Sequence, residues 1–196
     1  PDSNRKGWEV KKFANLGTLD RGKSQNRPRN SPELLGGTHP LIQTGDIANS
    51  NIYIENYVST YSDIGLKQSK KWQKGTLCIT IAANIAKTGI LGFDACFPDS
   101  VVGFIADTTK TNTIFIHFWM SFFQKILEDN APESAQKNIN LRILRDLSVI
   151  HPPLQIQDKF ARMVQKVVST QKIMQSQLQE LEFNFQAQLQ RVFRQD

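Results

Sequence analysis

The sequence is short of helix breakers exactly where a long helix would need them absent. Of its 11 glycines and 8 prolines, none lies beyond Pro153, so nothing interrupts a helix over the last quarter of the chain. It has only two cysteines, Cys78 and Cys96, each in an apolar run with no His or Cys at metal-ligand spacing. That excludes a disulfide framework and makes a structural zinc untenable, leaving buried free thiols in a reducing cytoplasm. No apolar run is long enough to span a bilayer, since the longest, Ile114 to Phe123, is broken by His117 and Ser121. The first twelve residues are polar and charged, so no signal peptide is visible. The chain also begins without Met, which suggests that it was processed, trimmed or cut from something longer.

Signatures of catalysis are missing as well. There is no phosphate-binding Gly-x-x-x-x-Gly-Lys-Ser/Thr and no glycine-rich cofactor loop, so neither a nucleotide nor S-adenosylmethionine is expected. Pro98-Asp99 has only Asp107 and Lys110 downstream, at the wrong spacing for a nuclease site. His151-Pro152-Pro153-Leu154 lacks the amide or carboxylate, and the aromatic, of an amino-methyltransferase box. His39, His117 and His151 are scattered, and His117 reads as a packed core histidine. The expectation is a protein with no catalytic residues, no metal and no cofactor.

What the sequence does have is positive charge and a heptad repeat. Lys and Arg number 24 against 18 Asp and Glu, a formal net charge of +6, which suits nucleic acid or an acidic surface. After Pro153 apolar residues alternate at spacings of four and three: Phe160, Val164, Val167, Met174, Leu178, Leu181, Phe185 and Val192. Only Gln171 and Gln188 interrupt the seam, where a polar residue can fix register. This period predicts a coiled-coil helix about 40 residues long, a rod of roughly 60 Å. An amphipathic helix folded back on the preceding domain is the alternative, but ~60 Å outreaches a globular domain of this size.

Ahead of the rod the pattern changes to short apolar runs. Gly7-Trp8-Glu9-Val10 opens a segment through Leu16 that reads as a first strand or short helix, with Trp8 tucked into the core. Pro40 to Ile47 reads as a strand entering a turn, and Ile52-Tyr53-Ile54 as a second strand. Asn49, Ser50 and Asn51 between them could close a hairpin. Gly75 to Ala82 is apolar enough to be central, with Ile90 to Phe93 as its partner and Val101 to Ala106 as a further strand. Ile114 to Leu127 predicts a helix buried on most sides, its aromatics belonging to the core. The fold class expected is α/β (α+β), a mixed-sheet domain over residues 1–151 followed by a long C-terminal coiled-coil helix over 152–196.

Three stretches carry the chemistry of a nucleic-acid surface. Asp20 to Pro32 holds Arg21, Lys23, Arg27 and Arg29, with Ser24, Gln25, Asn26 and Asn30 interleaved and no acid before Glu33. Pro28 and Pro32 make it a loop. Such a loop can hold phosphates and reach base edges, though a solvated loop would look the same. Lys67, Lys70 and Lys71 lie beside Trp72 and read either as a backbone path or as a basic surface flanking a packed Trp. Asn84, Lys87 and Thr88 fall between two strands, with the right chemistry to touch DNA but little specificity.

Residues 131–157, APESAQKNINLRILRDLSVIHPPLQIQ, are more distinctive. They resemble the end of a target recognition domain in the specificity subunit of type I restriction–modification enzymes. There a polar segment precedes a short helix, a strand, a Pro-Pro-Leu-x-x-Gln element and a long helix. The matching residues are Gln136, Lys137, Asn138, Ile139 and Asn140, then Leu144 and Leu147, then Pro152, Pro153, Leu154 and Gln157. Gly7-Trp8, Leu16-Gly17 and Arg21-Gly22-Lys23 are similar to the start of such a domain. Gln43-Thr44-Gly45-Asp46-Ile47 and Gly75 to Ile79 are similar to two of its internal blocks. One departure is Ile156, which stands where the family has an acid, so the helix start lacks that charge near its dipole.

The resemblance implies a non-catalytic reader of double-stranded DNA. A complete subunit of that family carries two recognition domains and two long helices, and this chain has one of each. It therefore resembles half a subunit, either pairing with a copy of itself or forming one half of a longer protein. The family implies methyltransferase and restriction/translocase subunits as partners, and paired helices that set the gap in a split target. It assigns no base to any residue. On side-chain chemistry and position in loops, the candidate contacts are Arg21, Lys23, Gln25, Arg27, Arg29, Gln43, Thr44, Asp46, Lys67, Lys70, Lys71, Asn84, Lys87, Thr88, Gln136, Lys137 and Asn138. Two other readings compete: a coiled-coil protein whose head binds another protein, and a DNA-binding regulator that dimerises through the rod without enzyme partners.

Overall fold

A computed structural model of the chain describes residues 4, 6–82, 85–130 and 139–193, with the backbone alone for 126–130. It divides into two compact units, Pro1–Gln157 and Asp158–Asp196.

The first unit is built on two mixed sheets. The larger takes its strands in the order β2 (Gly17–Arg21), β10 (Val101–Ala106), β7 (Leu77–Thr80), β8 (Thr88–Leu91) and β4 (Tyr53–Ile54). Every residue of β7 is buried, as expected of an apolar run at the centre of a sheet. Its antiparallel partner β8 sets Ile90 opposite Leu77. The smaller sheet runs β5 (Ser59–Tyr61), β3 (Leu35–Leu41), β9 (Ala95–Cys96) and β6 (Lys71–Trp72). One apolar cluster, including Ile42, Ile47, Ile54, Trp72, Leu91, Phe97 and Val101, draws on residues from both sheets and the segments linking them. Trp72 stacks on Phe97 at a centroid distance of 4.8 Å and lies against β10 at Gly103, where a Cβ would come within 2.6 Å of the indole. Both cysteines are free and buried, and burial raises both thiol pKa values above the ordinary range.

The expected hairpin at Asn49–Asn51 is not formed. Residues Thr44–Ala48 make a short helix, α1, in which Asp46 Oδ2 accepts the Gln43 backbone N–H at 2.7 Å and Ile47 enters the core. The strands on either side consequently go to different sheets: β3 pairs antiparallel with β5, and β4 pairs parallel with β8. Trp8 is half-buried with Lys6 Nζ 5.4 Å from its ring, so it edges the core without filling it. The helix expected from Ile114 is α3 (Thr113–Asn130), after α2 (Asp63–Lys67). It is less buried than its composition suggests. Ile114, Ile116, His117 and Met120 face the core, while Phe118, Trp119 and Phe123 are partly open and Phe122 is 67% exposed.

The end of this unit follows the order expected from residues 139–157. Asn140 caps α4 (Leu141–Asp146), its Oδ1 accepting from the N–H groups of Arg142 and Ile143. Strand β11 (Ser148–His151) then pairs antiparallel with β1 (Glu9–Lys12). After the two prolines Gln157 is wholly buried. Its Oε1 accepts from Thr111 Oγ1 at 2.8 Å and Asn112 N–H at 3.0 Å, while Nε2 donates to the Pro152 carbonyl at 2.8 Å. The glutamine of the Pro-Pro-Leu-x-x-Gln element is thus a fastening, which stitches the helix start to the loop before α3.

The second unit is the rest of helix α5 (Leu154–Phe193). Its 40 residues give a rod of roughly 60 Å at 1.5 Å per residue. Within the single chain Val167, Met174, Leu178, Leu181, Phe185 and Val192 are exposed, and Phe160 and Val164 are partly buried.

His117 gives the fold a pH dependence. Its Nδ1 lies 2.9 Å from Thr88 Oγ1, and burial pushes its pKa from 6.5 down to about 4, a fall only partly offset by a hydrogen bond with the Asn51 backbone. The unfolded chain then binds the proton more readily than the folded one between those values. Stability is therefore full above pH 6.5 and falls as the pH drops toward 4. Denaturant titrations should show a loss on the order of 2–3 kcal/mol across that window. A His117→Gln variant should flatten that part of the profile, and an unchanged slope would remove His117 as its source.

Candidate nucleic-acid interface

The basic loop begins where β2 ends. Gly22 donates to the Val101 carbonyl at 2.8 Å, and Lys23 N–H to the Phe97 carbonyl at 3.2 Å. The backbone passes so close to the chain before β10 that a Cβ on Gly22 would sit 2.3 Å from the Pro98 oxygen. Only glycine fits there. From this point the loop is seated by uncharged groups on the segment after α2. Gln68 Oε1 accepts from Gln25 N–H at 2.6 Å and Asn26 N–H at 3.1 Å, and Ser69 Oγ donates to the Lys23 carbonyl at 2.8 Å. Gln68 is buried, so these bonds are shielded from competing water.

Two stretches distant in sequence, both basic, are thereby brought together. Arg21, Lys23, Gln25, Arg27 and Arg29 of the loop and Lys67, Lys70 and Lys71 of the second stretch are all exposed. Two carboxylates are paired within the cluster. Asp20 Oδ2 meets Lys70 Nζ at 2.7 Å, and that hydrogen bond is the chief reason its pKa lies below the usual carboxylate value. Lys70 Nζ also sits 4.0 Å above the Trp72 ring, so the tryptophan is at once a core residue and a platform for a cation. The second carboxylate is Asp99, between β9 and β10. It pairs with Arg27 Nη2 at 3.5 Å and Arg29 Nη2 at 2.5 Å, and its backbone carbonyl accepts from Arg21 Nε. Arg27 Nη1 is further held by the Ser24 and Asn26 carbonyls, each at 2.8 Å. Cations outnumber the carboxylates paired with them, so the surface is left positive.

The remaining candidates are placed less uniformly. Gln43 is exposed, and its Nε2 donates to Ser59 Oγ at 3.1 Å. Thr44 is partly buried in the first turn of α1, and Asp46 holds the Gln43 N–H as described. Lys87 is exposed between β7 and β8. Thr88 lies within β8 and not in the loop; it is buried and bonded to His117. Asn84, Gln136, Lys137 and Asn138 fall outside the described residues. Sequence reasoning missed Gln68 and Asp99 as parts of the site. Gln68 carries no local signal, because what it does depends on a loop more than 40 positions upstream. Asp99 stood out only as an incomplete nuclease motif, and its place beside the basic loop exists only in the fold, so no local signal could have found it. Among the described residues, no group of three or more His, Cys, Asp and Glu gathers as a metal site, and no helix is long and apolar enough to cross a membrane.

A mixed-sheet domain with a positive loop surface, followed by a long helix, suits a DNA-binding domain. The profile of the type I restriction modification DNA specificity domain matches residues 5–183, and the chain belongs to that family. Among solved structures, it is similar to the HsdS subunit from Thermoanaerobacter tengcongensis, with a TM-score of 0.63 and 18% identity over 100% of this chain and 47% of that one. A chain from a structure on complex assembly and conformational transition of the type I R-M system matches at 0.61 and 16%, over 98% of this chain and 46% of that one. The S subunit of the type I system from M. genitalium matches at 0.51 and 14%, over 76% and 35%. The chain therefore spans half or less of the length of these solved chains, and at such identities the likeness is one of fold.

The seating of the loop has a measurable consequence. Gln68→Leu removes the acceptor shared by two backbone amides. It should cost about 1–2 kcal/mol of stability and should speed hydrogen exchange at Gln25 and Asn26, with the amides of β7 keeping their relative protection. Unaltered exchange at those two amides would show that the loop is held by something else.

Proposed function

We propose that this chain reads one part of a DNA target as the recognition portion of a type I specificity subunit, and has no catalytic step of its own. The observation that carries this reading is the joining of the loop that bears Arg21, Lys23, Arg27 and Arg29 to the segment that bears Lys67, Lys70 and Lys71, through hydrogen bonds from Gln68 and Ser69. Arg27, Arg29 and Lys70 meet carboxylates, but the seven cations outnumber Asp20 and Asp99, and the surplus charge is open to phosphates, which supply a large share of the affinity of such proteins for DNA. Gln25 and Gln43 are the exposed amides suited to base edges. Thr88 is left out, because its hydroxyl already serves His117.

The long helix supplies the second half of the proposal. A row of exposed apolar residues at heptad spacing is stable in water when another helix covers it. We infer that α5 pairs with a second such helix, from another copy or from a companion half, and so sets the gap between two half-sites. Modification subunits and a restriction/translocase subunit are the partners proposed for the assembled form.

Both halves are open to direct measurement. The wild-type chain should bind duplex DNA with an affinity that falls steeply as salt is added. Replacing Arg27 and Arg29 together with Ala should reduce the slope of log K against log salt by about 2. A full-slope double variant would move the phosphate contacts off this loop, and binding indifferent to salt would favour a protein-binding head. Leu178→Asp should turn an assembled species into a monomer in light scattering while leaving the melting of the first unit unchanged. Retained assembly would refute helix pairing through this seam.

A further inference from the structure

Asp99 stands out because an acid at the centre of a DNA-contacting surface opposes binding. Its carboxylate repels phosphates, yet it lies between two of the arginines best placed to meet them. Arg27 and Arg29 approach its two oxygens separately, Arg27 from Oδ2 and Arg29 from Oδ1. The backbone carbonyl of the same residue takes Arg21 Nε. One residue therefore organises three guanidinium groups that enter the loop from both of its ends. Asp99 is itself well placed to stay fixed, since its side chain is only 27% exposed and it follows Pro98, next to the close approach at Gly22. The arginines remain open, at 56% and 44% side-chain exposure. The two contacts are ion pairs, with no hydrogen bond at Oδ1, and Arg27 is held in addition by the Ser24 and Asn26 carbonyls. A guanidinium has five N–H donors in a rigid plane, so one drawn to the carboxylate keeps other donors facing outward.

We propose that Asp99 is a positioning residue for DNA discrimination: it orients Arg27 and Arg29, with Arg21 at its carbonyl, as a preformed donor array, at the expense of general affinity. This inference rests on the DNA-reading function proposed above. An arginine free on a flexible stem binds any phosphate within reach, whereas one fixed in orientation rewards only a partner whose acceptors match its plane. The carboxylate thus lowers attraction to DNA at large and sharpens the choice among sequences. This differs from the part played by Asp20, which pairs with a lysine, a point charge without a planar fork.

The test compares two probes on the full chain. One is a random-sequence duplex, and the other is a duplex pool enriched from a randomised library by the wild-type chain itself. Asp99→Asn should bind the random duplex more tightly than wild type, yet lose preference for the enriched pool, the ratio falling about tenfold. Asp99→Glu, which keeps the charge, should keep more of that ratio than Asp99→Asn does. Glu9→Gln, which removes an exposed acid from β1, should shift both affinities alike and leave the ratio unchanged. An Asp99→Asn ratio within twofold of wild type would overturn the proposal, as would an equal loss on both probes together with a lowered melting temperature, the mark of a merely structural anchor. If the wild-type chain binds both probes but enriches no sequence, the proposal also falls while DNA binding stands. If it binds no duplex at all, the DNA-reading function falls first and takes this inference with it.

Discussion

Gln68 lies just beyond a five-residue helix, and its buried side-chain carbonyl receives two backbone amides of the basic loop. Much of the candidate interface depends on that arrangement. A loop with four cations in nine residues repels itself, and the simplest way to hold it down would be to pair each cation with an acid. That would also neutralise the surface. Here the main chain is held by an amide and a hydroxyl, and Arg27 and Arg29 share a single acid, Asp99, so the loop keeps a net positive charge. The glycine at position 22 allows the loop to leave β2 close against the chain before β10. Trp72, stacked on Phe97 beneath, supports Lys70 from the core side. Packing and electrostatics are therefore joined at this corner of the domain.

The helix follows a different logic. Its first turn belongs to the first unit, where Gln157 bonds to Thr111, Asn112 and Pro152. Beyond Val168, where nearly every residue is exposed, its stability as a single chain would rest largely on propensity, and a long helix with an exposed apolar row is poorly served by water. A pairing partner removes that cost. The rigidity of a helix so paired would suit it to fix a distance, since half-site spacing is a matter of geometry.

Much of this was legible in the sequence, and the failures have physical causes. The long C-terminal helix, the apolar strand at Leu77–Thr80 and the sequence of helix, strand and prolines from Leu141 to Leu154 were all readable, because each is set by local periodicity or by helix-stopping residues. The order of the sheets was not. Pro40 to Ile54 looks like a hairpin by its polar turn, but Asp46 can cap a helix, and that local bond wins and sends the flanking strands to different sheets. The aromatic helix α3 misled in another way, because composition gives a residue's preference for burial and not the amount of domain available to cover it. Phe122 is the result. At the interface, the cations were found by charge and spacing, whereas Gln68 and Asp99 could not be, because their roles exist only through contacts made across more than 40 positions.

The central claim is that this chain directs chemistry to a DNA sequence that it reads itself. The most direct measurement is methylation-site sequencing of DNA from cells that express it with a type I methyltransferase subunit. The account predicts new methylation at one split motif, palindromic if two copies pair and asymmetric if a different second half is recruited, and loss of that motif on replacing Arg27 and Arg29. No new methylation from an expressed, folded chain with an active partner, or a motif indifferent to those arginines, would contradict it.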